Sequence, residues 1–185
     1  MYPEEALLEL STDCDWGFKK DTDGNAYYWR GYKAHIAWAD GMIPLACVTT
    51  SASVHDSQSA IPLMKRVARQ VDSLYDLMDS AYDAPCIRDV SASLGHVALI
   101  DQNARRGPKA SGLSEGTAWY QQTSEHRRYG QRSNAERGNS RLKDSFGLRF
   151  VRVRGGGKVH LHIMIGVVAL FADQLLKPHP GERHF

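Results

Sequence analysis

Tyr129-Gly-Gln-Arg132-Ser-Asn-Ala-Glu136-Arg-Gly-Asn-Ser-Arg-Leu-Lys143 sets a single carboxylate among basic residues at helical spacing. Wound as an α-helix at about 100° per residue, offsets of three, seven and fourteen bring Tyr129, Arg132, Glu136 and Lys143 onto one face. An acid able to bind a metal therefore shares a surface with cations able to hold phosphate. That combination suits phosphoryl transfer on nucleic acid, where metal ions activate the attacking oxygen and Lys or Arg neutralises the backbone. The plainer reading is an exposed helix of mixed charge, and the rest of the chain decides between the two.

Upstream, Ser11 to Asn25 is rich in Asp, Gly, Lys and Thr and reads as turn or loop. Tyr27 to Ala39 carries aromatic and alternating apolar residues, Asp40-Gly41 supplies a two-residue hairpin turn, and Met42 to Thr50 resumes as a strand. A helix comes next, with Asp56 as its N-cap, Ser57 in its first turn, and Ile61, Leu63, Met64, Val67, Ala68 and Val71 at helical spacing to about Gln70. Leu74 to Met78 is a short buried strand ending at Asp79. Pro85 to Leu94 is a helix stopped by Gly95, and His96 to Ile100 is another strand. Arg105 to Glu125 has no period and reads as a mobile loop. Beyond the charged helix to Ser145, Phe150 to Arg154 is a candidate strand and Gly155-Gly-Gly157 a turn. Val159 to Leu176 is a helix apolar nearly all round, which belongs in a core. Hairpin, helix, strand, helix, strand and a final helical segment predict an α/β fold, a mixed sheet flanked by helices.

At 185 residues and 42% apolar content the chain suits one domain, 1–185. A formal charge of +2 says little globally, but its distribution is uneven. Arg127, Arg128, Arg132, Arg137, Arg141, Lys143, Arg149, Arg152, Arg154 and Lys158 place ten of the 23 basic residues in one stretch, against only Glu136 and Asp144. That stretch is the expected DNA-facing surface. Cys14, Cys47 and Cys86 are odd in number and form no Cys-x-x-Cys pair, so neither a disulfide framework nor a zinc site is expected. The acidic amino terminus excludes a secretory signal, and the apolar run Ile163 to Ala172 falls short of the ~20 residues that span a bilayer. A cytoplasmic protein without membrane association is the expectation.

The spacing Tyr-x2-Arg-x3-Glu-x6-Lys resembles the signature of bacterial insertion-sequence transposases whose catalytic domain uses an Asp-Asp-Glu triad. Further blocks look similar: Gly31-Tyr-Lys-Ala-His35, Val48-Thr-Thr-Ser-Ala-Ser-Val-His55-Asp56-Ser, Leu77-Met-Asp79-Ser-Ala-Tyr82-Asp83 and Ile100-Asp101-Gln-Asn103. The resemblance covers roughly residues 12 to 176. It implies a ribonuclease H-like fold, divalent metal (magnesium or manganese) and DNA strand transfer. Asp79 and Glu136 take the positions of the second and third acids. Tyr129, Arg132 and Lys143 would grip the phosphates of the transposon ends. The first acid of the family lies on a strand upstream of the block that Ser11 to Trp16 resembles, and Tyr2 to Leu10 does not read as such a strand. That strand is therefore expected to be missing, which would expose a sheet edge and leave the chain inactive alone. Asp13, Asp15 and Asp40, each in an expected turn or loop, are the possible substitutes.

Asp79 has two readings from its own surroundings: a metal ligand beyond the carboxyl end of a strand, or a cap on the turn from Ser80 to Asp83. The resemblance favours the first. His55 and Asp56 point to opposite faces of an extended segment and are not expected to cooperate. His160 and His162, two apart on a helix, share no ligand and are expected at the core or its boundary. Among the tryptophans, only Trp119-Tyr120 is expected to stack on a base. Two other functions fit less of the pattern: a DNA-binding remnant that pairs with or inhibits an intact transposase, and a nuclease that cleaves without joining. Homo-oligomerisation is left open.

Overall fold

The computed structural model describes residues 10–21, 23–101 and 128–176. In chain order its regular elements are β1 (Asp15–Lys20), β2 (Ala26–Ala39), β3 (Ile43–Ser51), α1 (Asp56–Val67), β4 (Tyr75–Met78), α2 (Pro85–Ser93), β5 (Val97–Ile100), α3 (Ser133–Ser145) and α4 (Gly156–Leu175). Antiparallel and parallel pairing both occur, with helices between, so the chain is α/β. It divides into two compact units, Leu8–Val54 with Asn134–Phe185, and Met1–Leu7 with His55–Ser133. The loop expected over Arg105 to Glu125, Trp119-Tyr120 within it, and Arg127 lie outside the described residues.

In the unit holding β1 to β3, β2 is the organising strand. Its 14 residues take two antiparallel partners in succession, β1 along Ala26 to Gly31 and β3 along Tyr32 to Ala39. β1 corrects the expected loop over Ser11 to Asn25. Its Asp, Lys and Gly content hid an alternation that pairs with the aromatic start of β2. Asp21 closes this hairpin: Oδ1 accepts from the backbone N–H of Asp23 at 3.0 Å and of Asn25 at 2.8 Å. The connection between β2 and β3 is also longer than expected. A 3₁₀ turn, Asp40–Met42, replaces the two-residue turn, with Gly41 at φ 72° and Met42 at φ 62°, so β3 starts at Ile43. A register shift at Ala37/Trp38 accommodates it.

The core of this unit joins Cys47 of β3 to Leu142 of α3 and to Val159, Ile163, Val167 and Leu170 of α4, with Tyr32, Ile36 and Trp38 of β2 packed against them. Two buried polar side chains satisfy each other: Thr50 donates to the Ser51 carbonyl at 3.1 Å, which leaves Nε2 of His35 as donor to the Thr50 oxygen at 2.9 Å, whereas the buried Nε1 of Trp38 has no hydrogen-bond partner among the described residues. Gly138 sits in the middle of α3, where glycine costs about 1 kcal/mol against alanine. Its reason is Trp38, whose ring would lie 2.7 Å from a Cβ at that position.

α4 corrects a third expectation. It buries one face only: Val159, Ile163, Gly166, Val167 and Leu170 pack inward, while Leu161, Ile165, Val168 and Leu175 are exposed. A helix against one sheet layer has one side to bury, and nothing among the described residues covers the other. By length and composition this helix could cross a membrane, unlike the shorter run Ile163 to Ala172, but its inward face is packed on β2 and β3. The strand expected over Phe150 to Arg154 does not form: among the described residues no strand pairs with it, and Phe150, Val151 and Val153 are exposed.

In the other unit, β4 and β5 run parallel, from Tyr75↔Val97 to Met78↔Ile100. α1 and α2 pack on them through Ala60, Met64 and Ile87, joined by Ile61, Met78, Tyr82, Val90 and Ile100. His55, not Asp56, caps α1. Its ring accepts from the Ser57 N–H at 3.3 Å, and the Gln58 side chain accepts from the His55 N–H at 3.1 Å, a reciprocal box that moves Asp56 into the first turn. α1 ends at Val67 and α2 at Ser93, with Leu94 as cap and Gly95 at φ 79°, as the glycine predicted. β4 starts at Tyr75, and Leu74 before it is exposed. Asp76 fastens β4 to the end of α2: Oδ2 accepts from the Ser91 hydroxyl at 2.6 Å and from Nδ1 of His96 at 3.1 Å.

These contacts set two stability changes. Asp76→Ala strands the fully buried Ser91 hydroxyl and the His96 ring, and should cost about 2 kcal/mol; a denaturant melt unchanged from the parent would show that the bonds contribute nothing net. Gly138→Ala should lower the melting temperature, because overpacking against Trp38, about 1–3 kcal/mol, outweighs the gain in helix preference. A variant melting at or above the parent would mean that the Trp38 ring moves aside freely.

Candidate active site

Parallel strands in register release their chains at the same edge, and in open α/β sheets that carboxyl edge is where ligands bind. β4 leads directly into Asp79 and β5 directly into Asp101. Asp79 has extended backbone and caps a short 3₁₀ turn, Ser80–Tyr82, through Oδ1, which accepts from the Ala81 N–H at 2.9 Å. The local reading of Asp79 as a cap is therefore realised. It uses one carboxylate oxygen; Oδ2 accepts no hydrogen bond among the described residues. Arg88 holds the two strand ends together, donating to Asp83 Oδ1 at 2.9 Å and to the Ile100 carbonyl at 3.2 Å.

Tyr129 and Arg132 gather at this edge. The Tyr129 hydroxyl donates to Asp101 Oδ2 at 2.6 Å. Burial, then this bond and the Asp101 charge, push the hydroxyl up to about 12; Arg132 opposes the shift and Asp79 adds to it. The helix expected from Tyr129 to Ser145 is tightened at its start into a 3₁₀ segment, Gly130–Arg132, before α3 begins at Ser133. With three residues per turn, positions 129 and 132 eclipse, and the Arg132 guanidinium lies 5.6 Å from the centre of the Tyr129 ring. Arg128 sits 4.4 Å over the ring of Tyr75 in the same way. The neighbouring Tyr82 hydroxyl is raised well above its usual range by burial, then by Asp56 and Asp79.

Asp101 is the residue that sequence reasoning left without a role. Its signal was present: Ile100-Asp101 repeats the pattern of Met78-Asp79, an apolar strand closing on an acid.

Glu136 belongs to the other unit, exposed in the first turn of α3, with Lys143 two turns further along the same face. Lys143 lines an open depression with Asp144, Gly147, Arg149, Phe150, Arg152 and His162. Several of the clustered cations are already engaged. Arg141 donates to Asp173 at 2.6 Å and lies over Phe146, while Arg149 pairs with Asp144 and, with Ser140, holds that carboxyl below its usual range. Arg137 donates to the Asn134 side chain at 2.9 Å. Arg152, Arg154 and Lys158 are exposed. The two histidines of α4 are boundary residues, His160 against Thr49 and His162 against the Gly147 carbonyl. Asp13 and Asp15 are exposed; Asp15 opens β1 instead of lying in a loop, and accepts from the Trp16 N–H at 2.7 Å.

Among the described residues, no three His, Cys, Asp or Glu side chains group as a complete cage for an ion. The donors at the strand ends are nonetheless hard carboxylate oxygens. Magnesium and manganese take such oxygens, and magnesium commonly binds one or two of them while keeping water and substrate phosphate. Asp79, with Oδ2 unused, fits that mode.

Comparison with known proteins bears on the same residues. A protein-family model, the transposase DDE domain, matches residues 7–172. No curated protein and no solved structure matches the chain. The match takes in both strand-end acids, Tyr129, Arg132, Glu136 and Lys143, so the chain belongs to the transposase DDE domain family, whose function is DNA transposition.

Proposed function

We propose that residues 1–185 make up one catalytic domain of ribonuclease H-like form, built for cutting and joining DNA by metal-dependent phosphoryl transfer and short of its first acid when alone. Asp79 and Glu136 are the metal-holding acids, with magnesium or manganese as the ion, and transposon ends and target DNA as substrates. One observation carries the reading: Asp79 stands at the carboxyl end of a parallel strand with one oxygen committed to its own turn and the other accepting no hydrogen bond among the described residues. The antiparallel β1 to β3 succeeded by the parallel β4 and β5 supports the ribonuclease H-like form.

The ion, when bound, supplies Lewis-acid activation of the attacking oxygen and stabilises the leaving one. The chain's own groups bind and orient. Tyr129 has one hydroxyl proton, given to Asp101, and grips a phosphate oxygen by turning that proton from the carboxylate to the phosphate. Arg132, braced on that ring, presents a planar fork suited to phosphate oxygens. Lys143 and Arg152 in their depression, with Arg128, Arg137, Arg154, Lys158 and Arg127, supply sequence-independent backbone contacts.

Asp79→Asn separates the cap from the charge. Asn caps about as well as Asp, so stability should stay within about 0.5 kcal/mol, whereas Asp79→Ala should lose about 1 kcal/mol. The chain alone should neither cleave nor join DNA bearing the element's ends in magnesium or manganese. Cleavage that disappears in Asp79→Asn, Asp79→Ala and Glu136→Gln would mean that Asp13, Asp15, Asp40 or a partner chain supplies the third acid, and cleavage unchanged in Asp79→Asn would remove Asp79 from the site.

For DNA binding, affinity should fall steeply with salt, and Lys143→Ala or Arg152→Ala should each reduce the slope of log K against log salt by about 1. Titrations at several salt concentrations check this; an unchanged slope in both variants would place the phosphate contacts elsewhere.

A further inference from the structure

The hairpin of β1 and β2 has two unlike faces. On one, the Trp29 ring lies across Gly17, where a Cβ would sit 2.4 Å from it. On the other, the register sets Trp16 opposite Arg30 and Phe18 opposite Tyr28, with Lys20 at the end of the row. Side chains alternate along a strand and match across a pair, so these five share one side. The Phe18 and Tyr28 rings confirm it, with centroids 5.0 Å apart at 45°. All three rings stand in water: Trp16 is 61% exposed, Phe18 50% and Tyr28 67%.

A cross-strand pair such as Phe18 and Tyr28 helps to hold a two-stranded ribbon. It does not account for Trp16, a large ring set beside an arginine at the open end of the face. Arg30 lies within electrostatic reach of Asp15, which the alternation of β1 sets on the opposite side of the ribbon; neither Arg30 nor Lys20 forms a salt bridge among the described residues, and no carboxylate belongs to these rows. Flat rings interleaved with cations, and no carboxylates, are complementary to a ligand of flat rings linked by anions.

We infer that this face binds unpaired bases of DNA, with Trp16, Phe18 and Tyr28 as stacking surfaces and Arg30 and Lys20 on the adjoining phosphates. Base stacking on an aromatic side chain is worth about 1–3 kcal/mol per base and needs the face of the base, which only an unstacked strand presents. The choice of DNA as occupant rests on the family assignment; the hairpin itself takes no part in the proposed acid site.

The test uses the full chain in EDTA, which removes metal chemistry from the readout. A short thymidine oligonucleotide and an abasic strand of the same length and charge are titrated, following anisotropy and tryptophan fluorescence. The thymidine strand should bind about 10-fold tighter and quench the fluorescence. Trp16→Ala should bring it close to the abasic level while duplex binding stays within about twofold, and Trp16→Phe should retain most of the preference. Equal affinity for the two strands, or a preference that survives both Trp16→Ala and Tyr28→Ala, overturns the inference. So does a Trp16→Ala chain that binds thymidine as before but loses a dimer in sedimentation, which assigns the face to a second copy. Failure of the acid-site reading would appear elsewhere, as cleavage insensitive to Asp79→Asn.

Discussion

The parallel pairing of β4 with β5 is the constraint on which the site depends. Two strands running the same way bring their carboxyl ends to one edge, so the residues next after Met78 and Ile100, Asp79 and Asp101, are delivered there together. An antiparallel pair would have sent these acids to opposite edges. The Ser91 and His96 bonds to Asp76, and Arg88 clasping Asp83 to the Ile100 carbonyl, reinforce this pairing at both ends of the strands. Tyr129, just before the 3₁₀ segment Gly130–Arg132, bonds to Asp101 at this edge.

Much of this was legible in the sequence, for physical reasons that also explain the misses. β2, β3, α1, α2 and β5 announce themselves through period and punctuation: alternation, a glycine after a helix, an acid after an apolar run. β1 was hidden, because a solvated two-stranded ribbon has no buried face to impose an apolar stripe. The run Phe150 to Arg154 has strand-like residues, but a strand is a pairing, and pairing is not written in one segment. The exposed side of α4 could not be read either, since its composition is nearly the same all round and only the count of packed layers decides which side is buried. At the site, Asp79 and the Tyr129 to Lys143 spacing were visible. Asp101 was not given a role, because its meaning comes from the strand beside it.

Counting charge along the chain overstates the free charge on the folded surface. Arg141 and Arg149 are paired with Asp173 and Asp144, acids that lie 32 and five residues away. Lys143, Arg152, Arg154 and Lys158 form no salt bridge among the described residues, while Arg128 lies over Tyr75 and Arg137 donates to Asn134. Arg132 is of a different kind: an aromatic ring fixes its direction, so it is suited to orientation, whereas the long exposed chains are suited to attraction.

The succession of partners along β2 has a consequence for dynamics. The half that pairs with β3 is anchored in the core through Ile36 and Trp38, while the half that pairs with β1 has mostly solvated side chains on both strands. Opening the first ladder therefore leaves the second intact. The aromatic ribbon can fray and re-form at the low end of the stability scale, as an appendage that adjusts to what it touches while the core beneath keeps its register. Its backbone amides should exchange with solvent far sooner than those from Tyr32 to Ala39, giving one continuous strand two separate clocks.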